Sequence, residues 1–118
     1  MKVRMKVSHG DLFYYPDVMV ACEPDDRHRF YRERPKFWIE VSSEDKNKDR
    51  VEQYFACQSI PSMEEYVVVN PDPDDPGVEV FRKENNWDVE LIKGGDLTFR
   101  SIGVTVSIDS LYAKLRLI

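Results

Sequence analysis

The chain has 118 residues, enough for one domain with a modest core. Its content, 42% hydrophobic and 33% charged, excludes global disorder, and no apolar run approaches the length of a membrane span. The net charge of −5 argues against holding DNA by bulk charge, but leaves room for a local basic patch or a metal that meets the phosphate.

Residues 1–8 alternate, with Lys2, Arg4 and Lys6 against Val3, Met5 and Val7, which predicts a half-exposed strand. Its basic stripe either keeps a sheet edge soluble or touches phosphates. The same alternation leaves no signal-peptide core, so the protein is expected to be cytoplasmic. A second strand is expected over residues 13–22, with Pro16 removing one ladder donor. The segment from Arg27 to Lys36 is basic, and strand three follows over 36–42. Asp49 and Glu52 resemble a helix-capping pair. A helix over about residues 46–58 is expected to pack through Val51, Tyr54 and Phe55, with Pro61 beyond its end. The run EYVVV at 65–69 has the pattern of a strand buried on both faces. NPDPDDPG at 70–77 is a turn. Residues 78–83 and 87–92 read as a hairpin, 97–99 as a short strand, and the C-terminal stretch as a strand then a helix.

A helix between strand three and EYVVV makes those two strands parallel, with a right-handed crossover. The class is therefore α/β with a mixed sheet and a later β-meander. Cys22 and Cys57 both lie in apolar segments without metal-ligand spacing, and read as small core residues of a reducing compartment.

Two of the apolar strands carry one acid each, Asp17 and Glu40. A carboxylate inside such a strand is costly unless something pairs with it. Two of them on strands joined by one loop suggest a shared hard cation, since Mg²⁺ is held by one or two carboxylates plus waters. The competing explanation is an ion pair to one of the 17 Lys and Arg residues, or a place at a strand end. Arg27, Arg29, Arg32, Arg34 and Lys36, with Phe30 and Tyr31 between them, form either a DNA-facing patch or a solvated loop balanced by Asp25, Asp26 and Glu33.

An ordered set of segments resembles the Uma2 family of candidate restriction endonucleases, within the PD-(D/E)XK nuclease superfamily. The set is YYPDVMVAC at 14–22, WIEVSS at 38–43, Asp49-Arg50, IPSMEEYVVV at 60–69, VEVFRK at 78–83 and SIGVTVSIDSLY at 101–112. The resemblance implies one restriction-endonuclease-like domain over 1–118, a mixed sheet with a flanking helix, and absence of the family's N-terminal segment. It implies Mg²⁺- or Mn²⁺-dependent hydrolysis of DNA, with Asp17 and Glu40 as metal carboxylates and the Val41 carbonyl as a further ligand. The family's lysine is replaced: Ser42 stands two residues after Glu40, and Gln53 stands at the helix position. Glutamine can hydrogen-bond a water but supplies no charge. The alternative is a catalytically inactive, truncated relative that serves as a nucleic-acid-binding or assembly module. An uncovered aromatic face at Phe13, Tyr14, Phe37 and Trp38 is expected to be buried in a homodimer.

Overall fold

The computed structural model describes residues 2–7, 10–14, 18–22, 24–26, 31–41 and 54–114. Along these the chain runs β1 (Lys2–Val7), β2 (Gly10–Tyr14), β3 (Val18–Val20), β4 (Tyr31–Arg32) and β5 (Phe37–Val41). A helix described over residues 54–59, here α1, leads to β6 (Glu65–Val69) and β7 (Val78–Arg82). Then come β8 (Val89–Ile92), β9 (Asp96–Phe99), β10 (Val104–Ser107) and α2 (Ile108–Lys114).

Five strands form the central sheet in the order β3-β5-β6-β7-β8. β5 and β6 are parallel, from Phe37↔Glu65 to Val41↔Val69, and every other neighbour pair is antiparallel. The parallel pair is the βαβ arrangement that an intervening helix dictates. β2, β1 and β4 make a smaller sheet, and β9 and β10 a hairpin. This is a mixed α/β architecture, consistent with the restriction-endonuclease-like fold that the resemblance implies.

The two faces of the central sheet are covered differently. On one face Phe37, Ile39, Val67, Val69, Val78 and Val80 pack against Leu97, Phe99, Ile108 and Leu111 of the β9–β10 hairpin and α2. The Phe37 and Phe99 rings stack with centroids 4.7 Å apart. On the other face Trp38, Tyr66 and Val68 lie under Cys57, Ile60 and Met63. A strand buried on both sides needs apolar residues at every position, which is why EYVVV carries no alternation after Glu65. The Tyr112 hydroxyl donates to Asn70 O at 2.6 Å and accepts from Gly77 N–H at 2.9 Å, so α2 ties both ends of the 70–77 turn.

Several expectations are corrected. The run 13–22 is two strands in two sheets, β2 and β3, not one. Pro16 stands between them and has no N–H for a ladder. β4, inside the basic segment, pairs in parallel with β1 and was not anticipated. Phe55 is 61% exposed, while Ala56 and Cys57 are buried. The inward face of α1 is set by Tyr54 and Cys57, three residues apart, and Phe55 falls off it. Val51 lies outside the described residues. Phe37 and Trp38 do not form an uncovered face: they are 3% and 0% exposed, covered by their own chain. The side chains of Phe13 and Tyr14 lie outside the described residues.

The cysteines diverge. Cys57 is buried and Cys22 is exposed, beyond the last β3–β5 pair at Val20. Burial pushes the Cys57 thiol up from 9.0 to about 12. A thiol reagent at mildly alkaline pH is expected to label Cys22 in the native protein and Cys57 only on unfolding. Equal labelling of both under native conditions would contradict the packing of α1. Above pH 9.0 the unfolded thiol ionises while the folded one stays neutral up to about 12, so stability from this group is full below pH 9.0 and falls across that window.

Candidate functional site

Glu40 is the fourth residue of β5, half-buried, opposite Val68 of β6. Side chains alternate, so Glu40 shares the face of Trp38, the side covered by α1. It therefore stands at the end of a central strand, over an apolar floor of Trp38 and Val68. On the other side β5 pairs with β3, through Val20↔Phe37, Met19↔Trp38 and Val18↔Ile39. In sequence, Asp17 is the next residue before Val18 and Glu40 the next after Ile39. Asp17 itself lies outside the described residues, as does Gln53. Val41, the last residue of β5, is half-buried opposite Val69.

The donor chemistry suits a hard cation: the Glu40 carboxylate and the Val41 carbonyl are adjacent oxygen donors. Among the described residues no three His, Cys, Asp or Glu side chains gather as a metal cluster.

Where it is described, the basic segment pairs with acids both inside and outside itself. Arg34 pairs with Asp25 at 2.7 Å, and the Arg34 hydrogen bond holds the Asp25 carboxyl below its usual range. Lys36 pairs with Glu64 at 3.4 Å. Arg32 donates to Tyr31 O at 3.0 Å. The Arg4 guanidinium pairs with Glu33 at 3.2 Å and lies over the Tyr31 ring. Buried Asp26 organises the loop, accepting the Glu33 and Arg34 N–H groups at 2.9 Å each. Arg34 is thus balanced by Asp25 of the same loop, and Lys36 by Glu64 outside it. Arg27 and Arg29 lie outside the described residues.

A second charged cluster had not been singled out. Glu65 opens β6, Arg82 closes β7, and the antiparallel register sets them opposite each other. The Glu65 carboxylate accepts Arg82 Nε at 3.1 Å, Arg100 N–H at 3.1 Å and Ser101 N–H at 2.8 Å. Arg82 also donates to Glu90 at 2.6 Å and to Thr98 O at 2.7 Å. Every donor and acceptor named here is engaged within the chain, so the pair joins β6, β7, β8 and the β9–β10 hairpin. The sequence signal was an acid and a base at matching ends of two strands of one hairpin.

The family model for Uma2, described as "Putative restriction endonuclease", matches residues 1–105 of the 118. The chain belongs to the Uma2 family. No curated protein and no solved structure matches it. The Uma2 match spans β3 and β5, on which the acids were sought, together with β6, β7 and β8. The description of the family supports a nuclease reading of the chain. Among the described residues no helix is long and apolar enough to cross a membrane.

Proposed function

We propose that the chain is a metal-dependent endonuclease that hydrolyses DNA phosphodiester bonds. Asp17, Glu40 and the Val41 carbonyl are the ligands of Mg²⁺ or Mn²⁺. The observation that carries this reading is the β3–β5 pairing, described up to Val18↔Ile39, after which the chain offers Asp17 on one segment and Glu40 on the other. A divalent cation held there supplies Lewis acidity and lowers the pKa of a bound water. The residues around it do the rest. Trp38 and Val68, buried beside Glu40 on the same face, lower the local dielectric and so strengthen its pull on a cation. Gln53 is suited to orient a water by hydrogen bonding, without adding charge. Arg27, Arg29, Arg32, Arg34 and Lys36 meet the phosphates. For that, Arg34 and Lys36 exchange Asp25 and Glu64 for phosphate oxygens, a cheap exchange between partly exposed partners.

Supercoiled plasmid and a calorimetric metal titration test this directly. The wild-type chain is expected to nick plasmid only with Mg²⁺ or Mn²⁺. Asp17→Asn and Glu40→Gln are each expected to slow nicking at least about tenfold, or about 1.4 kcal/mol, and to abolish the metal heat. Retained nicking in both variants would remove these carboxylates from the centre.

A second reading, binding without cleavage, is favoured by Gln53, since the resemblance places a lysine there. It requires the wild type to shift DNA in a gel and bind metal without nicking. If charge is the missing element, Gln53→Lys restores cleavage. No gain in a folded, metal-binding variant would mean that Gln53 is not the defect.

A further inference from the structure

Three strands of the central sheet carry one row of side chains on the α1 side. The ladders set Glu40 of β5 opposite Val68 of β6, and Val68 opposite Glu79 of β7. Residues opposed in a ladder share a face. Glu79 therefore stands on the face of Glu40, two strands along, with Val68 between them. The packing agrees: Val78 and Val80 lie in the core beneath the β9–β10 hairpin and α2, while Phe81 packs with Trp38 and Tyr66 beneath α1. Glu79 is half-buried, as is Glu40.

Alternation along β7 asks for a polar residue at position 79 only if that face meets water. Here α1 docks on it. The Tyr54 ring lies 4.9 Å from Phe81, and the Tyr54 hydroxyl donates to Trp87 O at 3.0 Å. A carboxylate on a partly covered face loses hydration that a cation or hydrogen-bond donors must replace. Neighbouring strands lie about 4.7–4.9 Å apart, so about 9.5 Å separates the Cα atoms of Glu40 and Glu79. Two glutamate side chains leaning over Val68 close part of that gap. A hydrated cation closes the rest, because Mg²⁺ binds oxygen at about 2.1 Å and keeps several of its waters.

We propose that Glu79 is a positioning residue of the metal site, its carboxylate accepting a hydrogen bond from a water on the cation that Glu40 holds. This rests on the metal-centre reading above and adds a third acid to it, from a strand outside the β3–β5 pair. Gln53 can hydrogen-bond a water but brings no charge. Glu79 brings both, so it fixes the orientation of the water and strengthens the hold on a divalent cation from the far side of Val68. A structural ion pair to a Lys or Arg of the chain is the competing explanation, and it makes no demand on the metal.

Calorimetric titration with Mn²⁺ alone, without DNA, tests this on binding and not on cleavage. Wild type is expected to bind, and Glu79→Gln to bind about tenfold more weakly, the usual loss when a partner behind the metal's own ligands is removed. Glu79→Asp keeps the charge one carbon further back and is expected to bind more tightly than Glu79→Gln. Glu90→Gln makes the same change of charge on the opposite face, opposite Val80, and is expected to leave the Mn²⁺ affinity unchanged. Urea unfolding without metal accompanies each titration. A structural ion pair would lower the metal-free midpoint of Glu79→Gln and leave the Mn²⁺ affinity of the folded variant as in wild type. Wild type that binds Mn²⁺ no better than Glu79→Gln would overturn the role of Glu79 and leave the metal centre standing. Absence of any Mn²⁺ heat in wild type would overturn both. Equal weakening in Glu90→Gln would reveal a bulk charge effect and also overturn it.

Discussion

Glu65→Ala is expected to lower the unfolding free energy by about 3–5 kcal/mol, the usual cost of breaking a buried ion pair from one side. Glu65 and Arg82 are 2% and 3% exposed, so neither can recover the lost interaction from water. Removing the carboxylate strands a guanidinium that retains Glu90 and Thr98 O. It also leaves the N–H groups of Arg100 and Ser101 without their acceptor. A buried donor left unmet costs about 1–3 kcal/mol. Glu65→Gln keeps shape and one acceptor oxygen, and is expected to cost less. Urea unfolding followed by tryptophan fluorescence measures both. A loss below about 1 kcal/mol for Glu65→Ala, within the range of an exposed pair, would show that the cluster adds no net stability.

Trp38→Ala is the other large effect, again about 3–5 kcal/mol, from lost burial plus the cavity left behind. Trp38, the second residue of β5, is fully buried. Its indole meets Tyr66 edge-on at 6.1 Å, and Tyr66 in turn stacks on Phe81 at 5.6 Å. Sheet-bound neighbours cannot collapse far into the hole, so the cost belongs near the top of the range. Trp38→Phe retains a ring and is expected to lose less. Denaturant midpoints of the two variants decide. Equal midpoints for Trp38→Ala and wild type would mean that α1 does not seal this face.

What was legible follows from local pattern. The strands around Glu40 and at EYVVV show in the sequence because each is short, apolar and rich in β-branched or aromatic residues. Their parallel pairing follows from the helix between them. The hairpin β7–β8 follows from alternation. Three things were not legible, each because it depends on distant partners. Phe55 matches the helical spacing as well as Cys57 does, and only the sheet beneath decides which of them turns inward. Glu65 reads as one acid in a buried strand, like Glu40, until Arg82 is seen across the ladder. Nothing in FWIEV or EYVVV alone tells a stapling acid from a metal carboxylate. The basic segment misleads in the same way: Asp25 and Asp26 are local, but Glu64 reaches Lys36 from 28 positions away. For the candidate site, the sequence singled out Glu40 and the strand that bears it, and the fold adds its face, its floor and its neighbour β3.

The parallel β5–β6 ladder has a consequence for synthesis on the ribosome. Phe37 pairs with Glu65 and Val41 with Val69, so β5 emerges well before the strand that completes it. At about 5–20 residues per second, the intervening stretch takes about 1–6 s to make. Through that interval the nascent chain carries Phe37, Trp38 and Ile39, three residues that are buried in the finished protein, with β3 as the only central-sheet neighbour already made. The strand that bears Glu40 is thus open to a holdase chaperone throughout that interval.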